Sequence, residues 1–167
     1  ENGKDLVRRV EGILTVAHIG ADQEDVTAID PTAIIREVLN AQTDEIGRLR
    51  AVVQIEPGLP LVACHGTHLR QIFDNLVSNA LKFSREGESP MVRISGSVQG
   101  TLVAFAVEDR GIGIPSTQRA RVFQPFVRLL MSHADGDGIG LTIIQRIVEL
   151  YGGKVWIDGA EGAGCTV

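Results

Sequence analysis

Glu108-Asp109-Arg110-Gly111-Ile112-Gly113-Ile114-Pro115 decides how the rest of the chain is read. It follows an unbroken apolar run, Leu102 to Val107, which predicts a strand buried on both faces. A carboxylate at the end of such a strand is out of place unless it has a partner. Two glycines just beyond it let the backbone turn sharply and let a flat ligand approach without meeting a side chain. Asp109 then offers a fixed acceptor to an amino group in an apolar slot, as adenine recognition requires. Alone, Asp-x-Gly-x-Gly also describes an ordinary strand and glycine turn, so its weight depends on the flanking sequence.

Upstream, Met91 to Ser97 and Thr101 to Glu108 read as two strands joined through Gln99-Gly100. Before them, Leu69, Ile72, Phe73, Leu76, Val77 and Ala80 form the wide apolar stripe of a core-facing helix, with Thr67 placed to cap it. Asn75, Asn79 and Lys82 share one face of that helix, at the rim of the stripe. Amide oxygens there suit magnesium, a hard cation that completes its shell with water and phosphate, and Lys82 suits a phosphate as a point charge. A solvated polar face would have the same composition.

Downstream, a short helix is predicted after Ser116. Phe123-Gln124-Pro125-Phe126-Val127-Arg128 can anchor the base of a loop and aim Arg128 at a phosphate. Val127 to Asp137 lacks any sustained period and reads as a mobile loop. Gly136-Asp137-Gly138-Ile139-Gly140-Leu141 then leads into a helix ending near Tyr151 and Gly152-Gly153. Glycines before a helix start let N–H groups converge on an anion, where the helix dipole favours negative charge. Val155 to Ile157 and the residues after Gly164 read as the last strands.

Toward the start of the chain, Ala51 to Ile55 and Leu61 to Cys64 read as strands about a Pro57-Gly58 turn. Asp30-Pro31 is a cap followed by a first-turn proline, and opens a helix with Ile35, Val38, Leu39, Gln42 and Ile46 on one side. Residues 20–28 are polar and read as a linker. Leu6, Val10, Ile13, Leu14 and Ala17 repeat at helical spacing, an apolar stripe that needs a partner.

The hydrophobic fraction of 44% against 22% charged residues suits a soluble globular domain, and the length suits one such domain. A net charge of −5 argues against a nucleic-acid surface. No apolar run has the length of a membrane span, and no signal peptide opens the sequence, so a cytoplasmic setting without membrane contact is expected. Cys64 and Cys165 fit no metal spacing and read as buried or idle thiols in a reducing compartment.

Asn75-Leu76-Val77-Ser78-Asn79-Ala80-Leu81-Lys82-Phe83, Asp109-Arg110-Gly111-Ile112-Gly113, Phe123-Gln124-Pro125-Phe126 and Gly136-Asp137-Gly138-Ile139-Gly140-Leu141 occur in that order. They resemble the N, G1, F and G2 boxes of sensor histidine kinases, and the ending Gly162-Ala163-Gly164-Cys165-Thr166 is similar to that family's last strand. The resemblance covers about residues 30–167, and the Gly-Ile-Gly-Leu spelling is most similar to phytochrome-type members. It implies an α/β fold, a two-layer sandwich of the GHKL ATPase type with a mixed sheet packed on three helices. Residues 1–22 would be the second helix of a truncated dimerisation hairpin, 23–29 a linker and 30–167 the ATP-binding catalytic domain.

The implied ligands are ATP and magnesium. By resemblance, Asp109 binds the adenine amino group, supported through water by Thr166, with Gly111, Gly113 and Ile114 shaping the slot. Asn79 holds the metal with help from Asn75, Lys82 and Arg128 face phosphates, and Phe83 lies over the nucleotide. Gly136, Gly138 and Gly140, with Ile139 and Leu141, shape the lid. The implied partners are a phosphoacceptor hairpin, a response-regulator receiver domain and a second copy of the full-length protein. In the family the acceptor is a His followed by an acid; His18 is followed by Ile-Gly, and His65 and His68 stand near a turn and a helix start, so none fits. Asp137 stands where the family usually has a small residue, and a carboxylate there would repel phosphates. The competing expectations are a degenerate signalling module of the same fold and, less favoured, a hydrolysing ATPase, whose water-activating Glu is replaced here by Asn75.

Overall fold

The computed structural model describes residues 26–125, 127 and 138–167. The helix expected over Leu6 to Ala17 lies outside them. Thr27–Ile29, the end of the expected linker, is instead a strand, β1. Three residues are too few to show an alternation in sequence, and the strand exists through its pairing with a later segment.

Asp30 then accepts a hydrogen bond from Thr32 N–H at 2.9 Å, and Pro31 opens α1 (Pro31–Ala41) as expected. Ile35 and Val38 of this helix are fully buried. The helix does not run on to Ile46. It breaks at Gln42 and restarts as α2 (Thr43–Leu49). Two side chains account for the break: Gln42 Nε2 donates to Asp74 Oδ1 at 2.9 Å, and the Thr43 hydroxyl turns back to Asn40 O at 2.7 Å.

β2 (Val52–Ile55) and β3 (Val62–Cys64) follow, and β3 pairs antiparallel with β1 in a small ladder of its own. α3 (Gly66–Lys82) begins earlier than expected. His65 holds the N-cap position without a capping side chain, and Thr67 lies inside the first turn. β4 (Met91–Gln99) and β5 (Leu102–Asp109) form the expected hairpin, in register from Gln99–Leu102 to Val92–Asp109. A short α4 (Ser116–Arg119) and then α5 (Gly140–Leu150) lead to β6 (Asp158–Gly159) and β7 (Cys165–Thr166). The strand expected at Val155 to Ile157 lies slightly later, at β6. Ile157 is buried, but ladder bonds begin only at Asp158.

The main sheet has the order β2-β4-β5-β7-β6, with β2 and β4 parallel and the other pairs antiparallel. α1, α3 and α5 cover one face and produce the expected two-layer sandwich. Phe73 of α3 is fully buried and meets Phe105 edge-on at 5.6 Å, while Val92, Ile94 and Val107 bring the sheet into the same core. Burying a side chain of Phe73's size contributes about 1.5–3 kcal/mol.

β5 departs from the expectation of burial on both faces. Only Val107 is fully buried, and Leu102 is exposed. The other face carries charge: Arg93 Nε donates to Glu56 at 2.9 Å, and Arg93 also lies 3.5 Å from Glu108. An antiparallel sheet with helices on one side leaves such a face to water.

Candidate functional site

Asp109 ends β5 and turns its carboxylate back onto the loop that follows, where Oδ1 accepts the Gly111 N–H at 2.8 Å. Burial pushes the carboxyl above its ordinary pKa, and the backbone N–H groups of Gly111 and Cys165 pull it partly back. The loop is fixed from two sides. Toward α3, Phe83 O accepts the Ile112 N–H at 2.9 Å, and a Cβ on Gly111 would fall 2.3 Å from that same Phe83 carbonyl. Toward the chain end, Gly162 N–H donates to Ile112 O at 2.7 Å. Gly113 (φ 70°) leaves no room for a Cβ, which would meet Ala160 O at 2.0 Å. Any side chain at Gly113 would therefore be strained twice, by conformation and by contact. Ile114 is buried beside Val122 and Ile157.

Two arginines not singled out from sequence complete the frame. Arg85 Nε donates to Gly111 O at 3.2 Å and its other nitrogen reaches Gly162 O, while Arg119 bridges Ile114 O and Gly159 O. Their contacts to backbone carbonyls carry no sequence motif.

Thr166, expected beside Asp109, pairs with Glu108; Cys165 is the residue opposite Asp109. Paired residues on antiparallel strands share a face, so Cys165 stands with Asp109 and Thr166 on the other side. The Cys165 thiol is pushed up to about 12, first by burial and then by the Asp109 carboxylate, with Arg119 opposing. It is therefore a neutral thiol at physiological pH. Alternation along β5 and β7 was the only signal for this, and it needed the register to be read.

Along α3, Asn75, Asn79, Lys82 and Phe83 are all half-buried, as a face at the rim of the core requires. Asn75 Nδ2 donates to Gln71 O at 2.8 Å, which fixes the amide and turns Oδ1 toward α5, 2.7 Å from where a Cβ on Gly140 would lie. Lys82 Nζ sits 5.6 Å from the centre of the Phe83 ring. Gly138 (φ 67°) and the buried Ile139 lead into α5, followed by Gly140 and the half-buried Leu141. Thr142 donates to Phe123 O at 2.9 Å and so ties α5 to the segment after α4. Arg128 and Gly136, together with Asp137, lie outside the described residues. A separate groove of about 460 Å³ between α2 and α3, lined by Gln42, Leu49, Ser78 and Leu81, shares only Lys82 with this constellation.

Among the described residues no group of three His, Cys, Asp or Glu is placed to hold a metal. The donors present are amide oxygens, which fit magnesium and do not fit zinc or a redox metal. No described helix is long and apolar enough to cross a membrane.

A mixed sheet on three helices, with a half-buried carboxylate facing a glycine loop and Asn75 facing the start of α5, defines an ATP-binding domain of the GHKL type. Residues 64–167 match the histidine kinase-, DNA gyrase B-, and HSP90-like ATPase family, and the chain belongs to it. Within that family it is an ATP-binding catalytic domain of the sensor histidine kinase type. It is 34% identical over 151 residues to the aerobic respiration control sensor protein ArcB of Escherichia coli K12, covering 86% of this chain and 19% of that protein. It is 31% identical over 158 residues to the phytochrome-like protein Cph1 of Synechocystis, covering 94% of this chain and 21% of that one. Full-length ShkA, solved in complex with AMPPNP, superposes with a TM-score of 0.80 at 29% identity, over 96% of this chain and 34% of ShkA. The chain thus spans about a fifth of the length of these curated relatives. They include several kinds of sensor kinase, with no preference for phytochrome-type members.

Proposed function

We propose that this domain binds Mg-ATP between α3, the loop after β5 and the start of α5, and donates the γ-phosphoryl group to a histidine on a hairpin helix. The observation that carries the reading is Asp109, a half-buried carboxylate at the end of β5 whose Oδ1 is fixed by the Gly111 N–H, at the start of a glycine loop held against backbone on both sides. Asp109 accepts from the adenine amino group, and Cys165 takes the neighbouring position first given to Thr166. Asn79, with Asn75, presents amide oxygens to magnesium, while Lys82 and Arg128 face the phosphates and Phe83 covers the nucleotide. Gly136, Gly138 and Gly140, with Ile139 and Leu141, shape the lid. Magnesium, when bound, would offset charge on the phosphates. The chain's own groups supply position and charge, on which phosphoryl transfer mainly depends.

Asn75 cannot accept a proton from water, which favours transfer to a docked histidine over hydrolysis. A degenerate signalling module finds its one support in Asp137. Residues 1–22 are read as the second hairpin helix, through which the partner hairpin docks. The full-length protein is read as a cytoplasmic homodimer that passes the phosphoryl group to a response regulator. The phytochrome-type affinity rests on the short loop and the Gly-Ile-Gly-Leu spelling.

Calorimetry on wild type and Asp109→Asn tests the base slot: losing a charge-assisted bond there should cost about 1.5–3 kcal/mol of binding. Equal affinities would remove the adenine assignment. Incubation with radiolabelled ATP and a separate acceptor hairpin should label the hairpin and leave this chain unlabelled. Label on His18, His65 or His68, or brisk ATP hydrolysis by the chain alone, would overturn the donor reading.

A further inference from the structure

Tyr151 lies just past the end of α5 and is not among the residues of the site described above. Its hydroxyl accepts the His65 N–H at 3.0 Å and lies 2.8 Å from His68 Nδ1. Both histidines are buried at the start of α3. The three rings pack together, with centroids 5.4 Å apart for His65 and His68 and 5.8 Å for His68 and Tyr151. The hydroxyl can accept from the His65 backbone N–H and at the same time share a hydrogen bond with His68 Nδ1.

Gly140 meets Asn75 at one end of this helix pair and Tyr151 meets His65 and His68 at the other, so α3 and α5 run antiparallel. Between the ends the contact is apolar, made by residues such as Ile72, Ile143 and Ile147. Apolar packing is non-directional and tolerates sliding. Hydrogen bonds to one hydroxyl do not. The slide of α5 along α3 sets how closely Gly140 approaches the Asn75 oxygen, and Asn75 stands in the proposed phosphate and metal end of the site.

We infer that Tyr151 is a positioning residue: its hydroxyl, locked to His65 and His68, fixes the longitudinal register of the lid helix on α3 and so sets the phosphate end of the nucleotide site. The inference rests on the proposed function for its ligand. The base slot, built from β5, β7 and the loop after β5, does not depend on this lock.

Tyr151→Phe keeps the ring contacts and removes only the oxygen. By removing both bonds to the hydroxyl it should weaken Mg-ATP about tenfold, while adenosine titrated by NMR binds as to wild type. His68→Leu, which keeps the bond from the His65 backbone N–H, should weaken Mg-ATP in the same direction but less than Tyr151→Phe. His68→Asn, whose side-chain oxygen falls near the Nδ1 position, should retain wild-type Mg-ATP affinity. In the ligand-free protein, Tyr151→Phe should speed hydrogen exchange across α5 and leave the β4–β5 hairpin unchanged. Unchanged Mg-ATP affinity, or equal weakening of Mg-ATP and adenosine, would overturn the positioning role. A wild type that binds neither ligand would overturn the nucleotide reading instead, and the exchange comparison would then decide alone whether the lock holds α5.

Discussion

The Asp109 carboxyl is held where water cannot fully reach it, and two backbone N–H groups recover only part of that loss. A pKa raised in the folded state means that the protonated form fits the fold better than the ionised one. Its contribution to stability is complete below the ordinary aspartate value, where folded and unfolded chains are both protonated, and is lost as pH rises through the raised value. Asp109→Asn keeps an acceptor for Gly111 N–H and removes the charge. The variant should therefore melt above wild type at pH 7.5, with the gap closing near pH 4, while its ATP affinity falls. Paired thermal melts at the two pH values check this, and a variant less stable at pH 7.5 would show that the carboxylate is better solvated than its surroundings suggest. Asp109 was legible in sequence because a charge at the end of an apolar run stands out. Cys165 was not, because a two-residue strand has no alternation to read until its partner is known.

α3 and α5 were legible for the opposite reason: each carries enough apolar positions for a helical period to emerge, and their stripes became the core. The break at Gln42 escaped notice because its causes, Asp74 and Asn40, act through side-chain bonds that leave the apolar spacing intact. β1 escaped because three residues fall below any period, and β6 was read slightly early because its two ladder residues carry no period of their own. Gly140 shows how an element meets the site. Its backbone is ordinarily helical, so alanine is permitted there by conformation and should favour the helix by up to about 1 kcal/mol. The added methyl would press on Asn75 Oδ1, at the end of a side chain anchored, among the described residues, only by its bond to Gln71 O. Gly140→Ala should thus leave the melting temperature level or slightly higher and weaken Mg-ATP about tenfold by displacing Asn75. Calorimetry with a parallel melt separates the two effects, and undiminished affinity would take Asn75 out of the phosphate end.

At the scale of the molecule, the site is a seam between pieces that are distant in sequence. Phe83, at the end of α3, holds the loop after β5, Asn75 of α3 faces Gly140 of α5, and the loop is closed from behind by Gly162 and by the pairing of Asp109 with Cys165. The motifs were legible singly, and their order in the chain revealed the fold, but the seam itself appears only once the sheet is ordered. That last pairing has a kinetic consequence. The β4–β5 hairpin closes locally, whereas β7 must find β5 across the whole intervening chain, so β7 should dock after the folding barrier is crossed. A ligand that needs both strands cannot stabilise the transition state. Mg-ATP at about a hundred times its dissociation constant, worth roughly 2.7 kcal/mol, should slow unfolding about a hundredfold and leave the refolding rate unchanged. Stopped-flow chevrons with and without nucleotide would show this directly, and a faster refolding limb would mean that the base slot forms early.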